Sequence, residues 1–218
     1  MKQILLSLTL VALTNVLSAQ NRYDVLITEI MIDPGPPVGL PSNEWIELKN
    51  NSGTSINLSG WRIGDSGGQT GPMPDFTLDA HSYVIICTGS AIAAMSAFGN
   101  AISVTAFPSL DNSGELLYLL SPSGLTVHAI EYSATWYQNE LKKDGGWTLE
   151  MVDTGNPCAG IDNWKASTDA KGGTPGMVNA VNAVNKDLDP PSIKNAYTSN
   201  DTIIRLVFNE YVDSLNAA

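Results

Sequence analysis

The chain has 218 residues, of which 43% are hydrophobic and 15% are charged. This apolar content excludes a disordered chain, because burial of the apolar side chains can offset the entropy lost on folding. The chain has 11 basic and 22 acidic residues, for a formal net charge of −11. Such an acidic surface disfavours non-specific binding to nucleic acid or to anionic membrane surfaces.

The N-terminus has the pattern of a secretory signal peptide over residues 1–19. Lys2 precedes an apolar run at 4–13, and the small residue Ala19 is suited to the last position before cleavage. The run is about half the ~20 residues that a membrane-spanning helix needs. We therefore expect an exported protein, secreted or at the cell surface, without membrane insertion and with a mature net charge of −12.

The mature chain consists mainly of short runs rich in Val, Ile, Thr, Trp and Tyr, separated by clusters of Gly, Pro, Asn, Asp and Ser. This pattern predicts an all-β sandwich or barrel. One short helix is expected at 90–98, with Ser90 as its N-cap and Gly99 as its C-terminal stop. The predicted strands are 25–32, 44–49, 61–64, 83–88, 101–106, 115–121, 126–132 and 147–152.

The two cysteines, Cys87 and Cys158, are predicted to form a disulfide because the protein is expected to reach an oxidising compartment. The alternative is a buried Cys87 and a free loop thiol at Cys158. A zinc site with His81 and His128 is disfavoured, since His81 and Cys87 on one strand would lie about 20 Å apart.

Glu29 and Glu47 are the best carboxylate pair that the sequence offers. In the second predicted strand Ile46 and Leu48 share one face and Glu47 lies on the other, and Glu29 could meet Glu47 across adjacent strands. An exposed or salt-bridged sheet face next to Lys49 is the leading interpretation. Acid/base catalysis and metal binding are the alternatives.

Five motifs occur in order along the mature chain. They are Thr28-Glu29-Ile30-Met31-Ile32-Asp33-Pro34, Glu44-Trp45-Ile46-Glu47-Leu48-Lys49-Asn50, Leu58-Ser59-Gly60-Trp61, Asn163-Trp164-Lys165-Ala166-Ser167 and Gly172-Gly173-Thr174-Pro175-Gly176. Together they resemble the bacterial version of the lamin tail domain, an immunoglobulin-like β-sandwich. The resemblance covers residues 24–179 and implies no catalytic motif; with the helix expected at 90–98, the predicted fold is an immunoglobulin-like antiparallel β-sandwich with one short helix.

The glycines of these motifs are expected to have structural roles. Gly60 is expected to form a turn that places Trp61 in the core. The closing glycines lack the Lys-Ser/Thr of a phosphate loop, so their role is expected to be structural.

Residues 180–191 have the composition of a linker, and 192–218 resemble the first strands of a second, incomplete Ig-like domain. The segment after the linker is too short for an independent core, so either its strands dock on the first domain or, as we expect, the sequence is the front of a longer protein. Asp187 and Asp189 in the linker are a weak candidate for a Ca²⁺ site, because hard oxygen ligands two residues apart on an extended chain point to the same side. No other cofactor is expected.

Two functions are consistent with these features. The first is a non-catalytic Ig-like module of an exported multi-domain protein, acting in cell-surface adhesion, spacing or targeting, with an unknown protein or glycan as its partner. The second is a carbohydrate-binding module attached to a secreted enzyme, with Trp136 and Tyr137 as candidate stacking residues beside Trp147 and Trp164. The given chain has no serine-nucleophile motif or metal-ligand cluster, so an enzyme is not expected.

Overall fold

The computed structural model of the chain describes residues 21–185 and 192–208. Their regular structure is almost entirely β, in agreement with the predicted fold class. Three short 3₁₀ helices connect strands at Ala134–Tyr137, Lys142–Asp144 and Gly160–Asn163. The other elements, in chain order, are β1 (Val25–Met31), β2 (Trp45–Asn50), β3 (Ile56–Asn57), β4 (Arg62–Gly64), β5 (Thr77–Leu78), β6 (Tyr83–Cys87), α1 (Ile92–Met95), β7 (Ala101–Ser103), β8 (Gly114–Leu120), β9 (Thr126–Ser133), β10 (Leu149–Met151), β11 (Trp164–Ala166), β12 (Ile193–Asn200) and β13 (Ile203–Phe208).

The domain is built around a six-stranded sheet with the order β11-β10-β1-β2-β6-β7. A three-stranded sheet, β4-β8-β9, contributes to the same core, and β3 pairs with β5. Most pairs are antiparallel, but β6 and β7 run parallel, so the larger sheet is mixed. The fold is an Ig-like all-β sandwich in which this one parallel edge differs from the expectation of a fully antiparallel arrangement.

Both faces of the six-stranded sheet are covered. Ile46 and Leu48 pack into the main core between the sheets, whereas Trp45 packs into a second cluster on the opposite face. This alternation follows from the two-residue period of a strand. We call the second set of residues the outer cluster; its buried members are Met31, Leu40, Trp45, Ile85, Cys87, Ala91 and Met95.

The turn at Gly60 delivers Trp61 to the main core, as the sequence predicts. Gly60 has φ +80°, a left-handed conformation that glycine adopts without steric penalty. Its N–H donates to the carbonyl of Met73 at 3.0 Å. Trp61 is almost completely buried and is among the largest buried side chains of the described residues.

The helix is much shorter than the predicted 90–98. Only Ile92–Met95 is helical, and Ser90 does not cap it, because its hydroxyl pairs with that of Thr88 at 3.0 Å. The N-cap is Ala91, without a side-chain hydrogen bond. Burial of Ala91 and Met95 in the outer cluster fixes this single turn, so packing rather than capping determines its length.

Beyond the main domain, β12 and β13 form an antiparallel hairpin whose side chains are nearly all exposed. Strands were expected in this segment, and its assignment to a second Ig-like domain stays a prediction. Among the described residues there is no helix with the length and apolar character required to cross a membrane.

Candidate functional site

Three glutamates lie in a row across neighbouring strands on the outer face of the six-stranded sheet. Glu29 on β1 is directly opposite Glu47 on β2 and Glu150 on β10. All three are 0% exposed. We call Glu29, Glu47 and Glu150 the glutamate row. The fold therefore brings together the pair suggested by the sequence and adds a third carboxylate.

The leading interpretation of Glu29 and Glu47 as an exposed or salt-bridged face next to Lys49 is wrong. Both are sealed from solvent, and the Lys49 ammonium donates instead to the Thr154 hydroxyl at 2.8 Å. The reason is a segment from the far end of the domain, residues 172–181, which lies over the row. We call this segment the C-terminal strap.

Backbone amides of the C-terminal strap are hydrogen-bonded to all three carboxylates. Thr174 N–H donates to Glu29 Oε1 at 2.8 Å, and Gly176 N–H donates to Glu47 Oε2 at 2.6 Å. Val181 N–H donates to Glu150 Oε2 at 3.1 Å. The strap thus supplies donors to buried carboxyl groups that would otherwise be costly to remove from water.

Threonine hydroxyls supply further donors to the row. Thr28 donates to Glu47 at 2.9 Å, and Thr148 donates to Glu29 at 2.7 Å. The strap's own Thr174 hydroxyl donates to Glu150 at 2.9 Å. Glu29 Oε2 is nevertheless buried with no hydrogen-bond partner among the described residues. An ionised Glu29 would leave that oxygen unsatisfied, which favours the protonated form.

Burial also raises the pKa values of two members of the row. Burial is the main reason that the pKa of Glu29 lies well above its ordinary value, and the charges of Glu47 and Glu150 raise it further. Burial raises the pKa of Glu47 to about 8, opposed by the hydrogen bonds from Gly176 and Thr28. Burial therefore favours the protonated form of both side chains, and a pKa of about 8 means that Glu47 is mostly protonated at pH 7.

The closing glycines allow the strap to approach this closely. A Cβ atom on Gly173 would lie 2.7 Å from Glu29 Oε1 and 2.8 Å from side-chain atoms of both Leu40 and Thr148. Gly172 and Gly176 have φ of +94° and +79°. The motif Gly172-Gly173-Thr174-Pro175-Gly176 is therefore a device for placing amides against the glutamate row.

The arrangement is not that of an open catalytic site. With 0% exposure, the carboxyl groups of the row contact no solvent and could not reach a substrate in this conformation. Within residues 21–185 and 192–208, no group of three or more His, Cys, Asp or Glu side chains is arranged to bind a metal ion. The row acts as an internal anchor for the strap.

Sequence reasoning missed Glu150 as the third member of the row. A strand was predicted at 147–152, but its pairing with β1 depends on the fold and not on local pattern. Glu150 lies more than 100 residues beyond Glu29 in the sequence. The period of the strand could have placed Glu150 on one face, but not next to Glu29.

The aromatic residues proposed for ligand stacking do not form a common platform. Tyr137 is buried, and its hydroxyl donates to the carbonyl of Trp147 at 2.8 Å. Trp164 is fully buried, with its ring centroid 5.9 Å from that of Trp136. Trp147 is half-buried under the Lys142 ammonium, 4.1 Å from the ring centroid. Two of these rings, the partly buried Trp136 and the fully buried Trp164, line the same cavity.

That cavity, which we call the Trp136 pocket, has a volume of about 150 Å³. It lies where β8, β9 and the loop before β11 meet the start of the described chain. Its wall is mainly apolar, with one cation from Arg22 and one anion from Glu131. The lining residues are Arg22, Tyr23, Leu116, Ala129, Ile130, Glu131, Trp136, Pro157, Cys158, Gly160 and Trp164.

The predicted Cys87–Cys158 disulfide is wrong for this structure, in which both cysteines are free. Cys87 belongs to the outer cluster and is fully buried. Cys158 lines the Trp136 pocket, and its thiol donates to the Tyr23 hydroxyl at 2.9 Å. Tyr23 packs against the main core, so the two cysteines belong to structures on opposite faces of the six-stranded sheet.

The two histidines have different environments. His81 is exposed in the turn before β6, whereas His128 is buried on β9. His128 Nδ1 accepts a hydrogen bond from the Ile27 N–H at 3.0 Å, which makes it a structural residue. The Ca²⁺ candidates Asp187 and Asp189 lie outside the described residues.

Comparison with known proteins agrees with the motifs. A family model described as Lamin Tail Domain matches residues 18–134, slightly more than half of the chain. A search of curated proteins found no match. The matched segment contains β1 to β9 and three of the five motifs that carry the resemblance, while the motifs at 163–167 and 172–176 lie beyond it. The chain belongs to the lamin tail domain family.

Proposed function

We propose that this chain is a non-catalytic structural or interaction module of an exported multi-domain protein, serving cell-surface adhesion, spacing or targeting. The observation that carries the proposal is membership of the lamin tail domain family, whose Ig-like domain is a structural or interaction module. The glutamate row supports it, because its three buried carboxyl groups are bonded to the strap and hold the chain together.

Export is the part of the proposal that can be tested most directly. The full chain, expressed in a bacterial host, should be recovered outside the cytoplasm with Gln20 as its first residue, because cleavage is expected after Ala19. N-terminal sequencing of the fractionated protein measures this. Leu10→Arg, which interrupts the apolar run, should leave the uncleaved chain in the cytoplasm, and Gln3→Lys, outside the run, should not. Cytoplasmic, uncleaved wild-type protein would contradict the proposal.

In the proposed multi-domain protein, the hairpin β12–β13 begins a second Ig-like domain. Ile204 and Leu206 on β13 are at least half exposed, which is unusual for a completed sheet. Further strands of such a domain would cover them. Residues 181, 183 and 185 of the linker predicted at 180–191 are hydrogen-bonded to the main domain, so the part of that linker after Asn185 would connect it to the next domain of a larger surface protein.

Carbohydrate binding is a second candidate, favoured by the Trp136 pocket. A partly exposed indole with one cation and one anion nearby is a suitable site for a sugar ring and its hydroxyl groups. Against this stands the absence, in the described domain, of a second exposed ring parallel to Trp136.

Affinity electrophoresis in gels containing cellulose, xylan, chitin or mannan tests this alternative. Retardation of the wild-type protein, abolished in Trp136→Ala and retained in Leu141→Ala, would support it. Leu141 is a suitable control because it is an exposed apolar residue outside the pocket. Equal mobility of all three proteins in every gel would leave the structural module as the sole candidate function.

A further inference from the structure

The C-terminal strap contains no ionisable side chain of its own. Residues 172–181 consist of Gly, Thr, Pro, Met, Val, Asn and Ala. The strap donates the hydrogen bonds to the carboxyl oxygens, so any pH dependence of its attachment comes from ionisation of the glutamate row and not from the strap. Asn179 adds two bonds that do not titrate, from its side-chain amide to the carbonyls of Thr28 and Met151 at 2.9 and 2.8 Å.

Among the described residues, no lysine or arginine forms an ion pair with the row. On the same strands, the charge of Lys49 lowers the pKa of Glu47 but its ammonium donates to Thr154, and Lys165 is opposite Glu150 in the β10–β11 register but is exposed. Burial raises the pKa of Tyr83 on β6, and the charge of Glu47 raises it further. The helix α1, which packs on the same outer face, has no titratable residue.

Ionisation of the row therefore creates negative charges side by side under the strap. Glu29 and Glu47 are direct cross-strand partners, so their side chains start about 5 Å apart. Two such charges repel each other strongly in a site without water. Opening of the strap would admit water to both carboxylates and relieve the repulsion.

We propose that the glutamate row is a proton-dependent latch, which holds the C-terminal strap on the sheet at acidic and neutral pH and releases it in alkaline solution. The proton lost from the row passes to solvent, and no other reactant is needed. The latch does not depend on export, on a partner or on the proposed function. It gives the end of the domain two states that are selected by pH.

The sign of the pH effect on strap closure follows from the raised pKa of Glu47. A carboxyl group whose pKa is raised in the latched state binds the proton more tightly there than in the open state, so latching is favoured below that pKa and weakens above it. With a pKa of about 8, the protonated fraction of Glu47 falls about tenfold between pH 7 and pH 9. The closed strap should lose stability by the same factor.

Hydrogen exchange of the full mature chain, followed by mass spectrometry at pH 7, 8 and 9, tests the latch. Labelling times are adjusted for the faster intrinsic exchange at higher pH. The peptide that covers residues 172–181 should lose protection about tenfold between pH 7 and pH 9, while the peptide that covers β2 should keep its protection. In Glu47→Gln the strap should stay protected at pH 9, because the amide cannot ionise.

Glu140→Gln is the matched control, since Glu140 is an exposed glutamate that pairs only with Lys143 in the described structure. It should show the wild-type loss. If Glu47→Gln does not fold, Glu29→Gln replaces it, and the wild-type pH series is decisive by itself. The proposal is overturned if wild-type strap protection is constant from pH 7 to 9, if Glu47→Gln shows the same loss, or if β2 loses protection together with the strap.

Discussion

His128 is a single residue on which the acid stability of the main core depends. Its Nδ1 accepts from Ile27 N–H, so the buried ring is neutral and carries its proton on Nε2. Burial lowers the pKa of His128 to about 3, while the pKa of an unfolded histidine is near 6.5. Between about pH 3 and pH 6.5, histidine binds a proton in the unfolded chain but stays neutral in the folded chain. Protonation therefore favours unfolding, and the free energy of unfolding falls as the pH drops below about 6.5.

We predict that His128→Asn removes this pH dependence. The Asn Oδ1 can replace Nδ1 as acceptor for Ile27 N–H, although the loss of the ring and its contact with Tyr23 lowers stability at pH 7. The gap in the free energy of unfolding between wild type and variant should narrow by on the order of 2 kcal/mol from pH 7 to pH 4.5. Urea denaturation at both pH values measures it.

His81→Asn is the control, because His81 is exposed and its φ of +61° suits asparagine. It should follow the wild-type pH dependence. A constant gap between wild type and His128→Asn at the two pH values would contradict the prediction and show that the buried imidazole does not govern acid stability.

Some residue positions could be predicted from the sequence and others could not. Strand period placed Glu47 on the face opposite Ile46, and strand adjacency suggested its meeting with Glu29. The burial of both glutamates could not be predicted, because it depends on the C-terminal strap. Gly176 of the strap lies 129 residues beyond Glu47. A polar residue in an alternating strand looks solvent-exposed until the covering segment is known.

At the level of elements, the long strands were predictable because their apolar periodicity is local. β1, β2, β6, β8 and β9 all lie within about two residues of their predicted bounds. β3, β5 and β11 were missed because strands of two or three residues are defined by their pairing partners and not by a periodic pattern. The helix was predicted too long, since its composition does not report which turn packs on the outer cluster.

Close contacts with the sheet restrict which residues the C-terminal strap can contain. We predict that Gly173→Ala destabilises the domain by about 1–3 kcal/mol, because the new methyl group overlaps Glu29, Leu40 and Thr148 in a closed site. Guanidinium denaturation of the mature chain measures the change in the free energy of unfolding.

Gly53→Ala provides the matched control in the loop between β2 and β3. A Cβ atom there would meet nothing within 4 Å, and its φ lies outside the left-handed region. The variant should be neutral or slightly stabilising, because alanine restricts the unfolded chain. Equal stability of the Gly173→Ala and Gly53→Ala proteins would show that the strap can move away from the sheet without cost.

On the scale of the whole molecule, the domain extends past the family match. The match ends at residue 134, but β10 and β11 continue the six-stranded sheet beyond β1, and the strap covers the sheet's outer face. The boundary predicted from the motifs, residues 24–179, includes β10, β11 and all but the last two residues of the strap. Contacts with the domain reach further: Ala183 N–H donates to the Val152 carbonyl at 3.0 Å, and Asn185 N–H donates to Asp153 Oδ2 at 2.8 Å.

These contacts predict where the chain can be cut. A chain of residues 20–185 should match the mature full chain within about 0.5 kcal/mol, because it keeps the strap and the side chains of the removed hairpin are nearly all exposed. A chain of residues 20–171 loses, among other contacts, the six hydrogen bonds that Thr174, Gly176, Asn179 and Val181 donate to the sheet, each contributing about 1 kcal/mol, and leaves three carboxyl groups without those donors. It should be several kcal/mol less stable or fail to fold.

Thermal and urea unfolding, followed by circular dichroism, compare the three proteins. A 20–185 chain that melts well below the full chain would show that the hairpin stabilises the domain, and a 20–171 chain as stable as 20–185 would show that the strap does not.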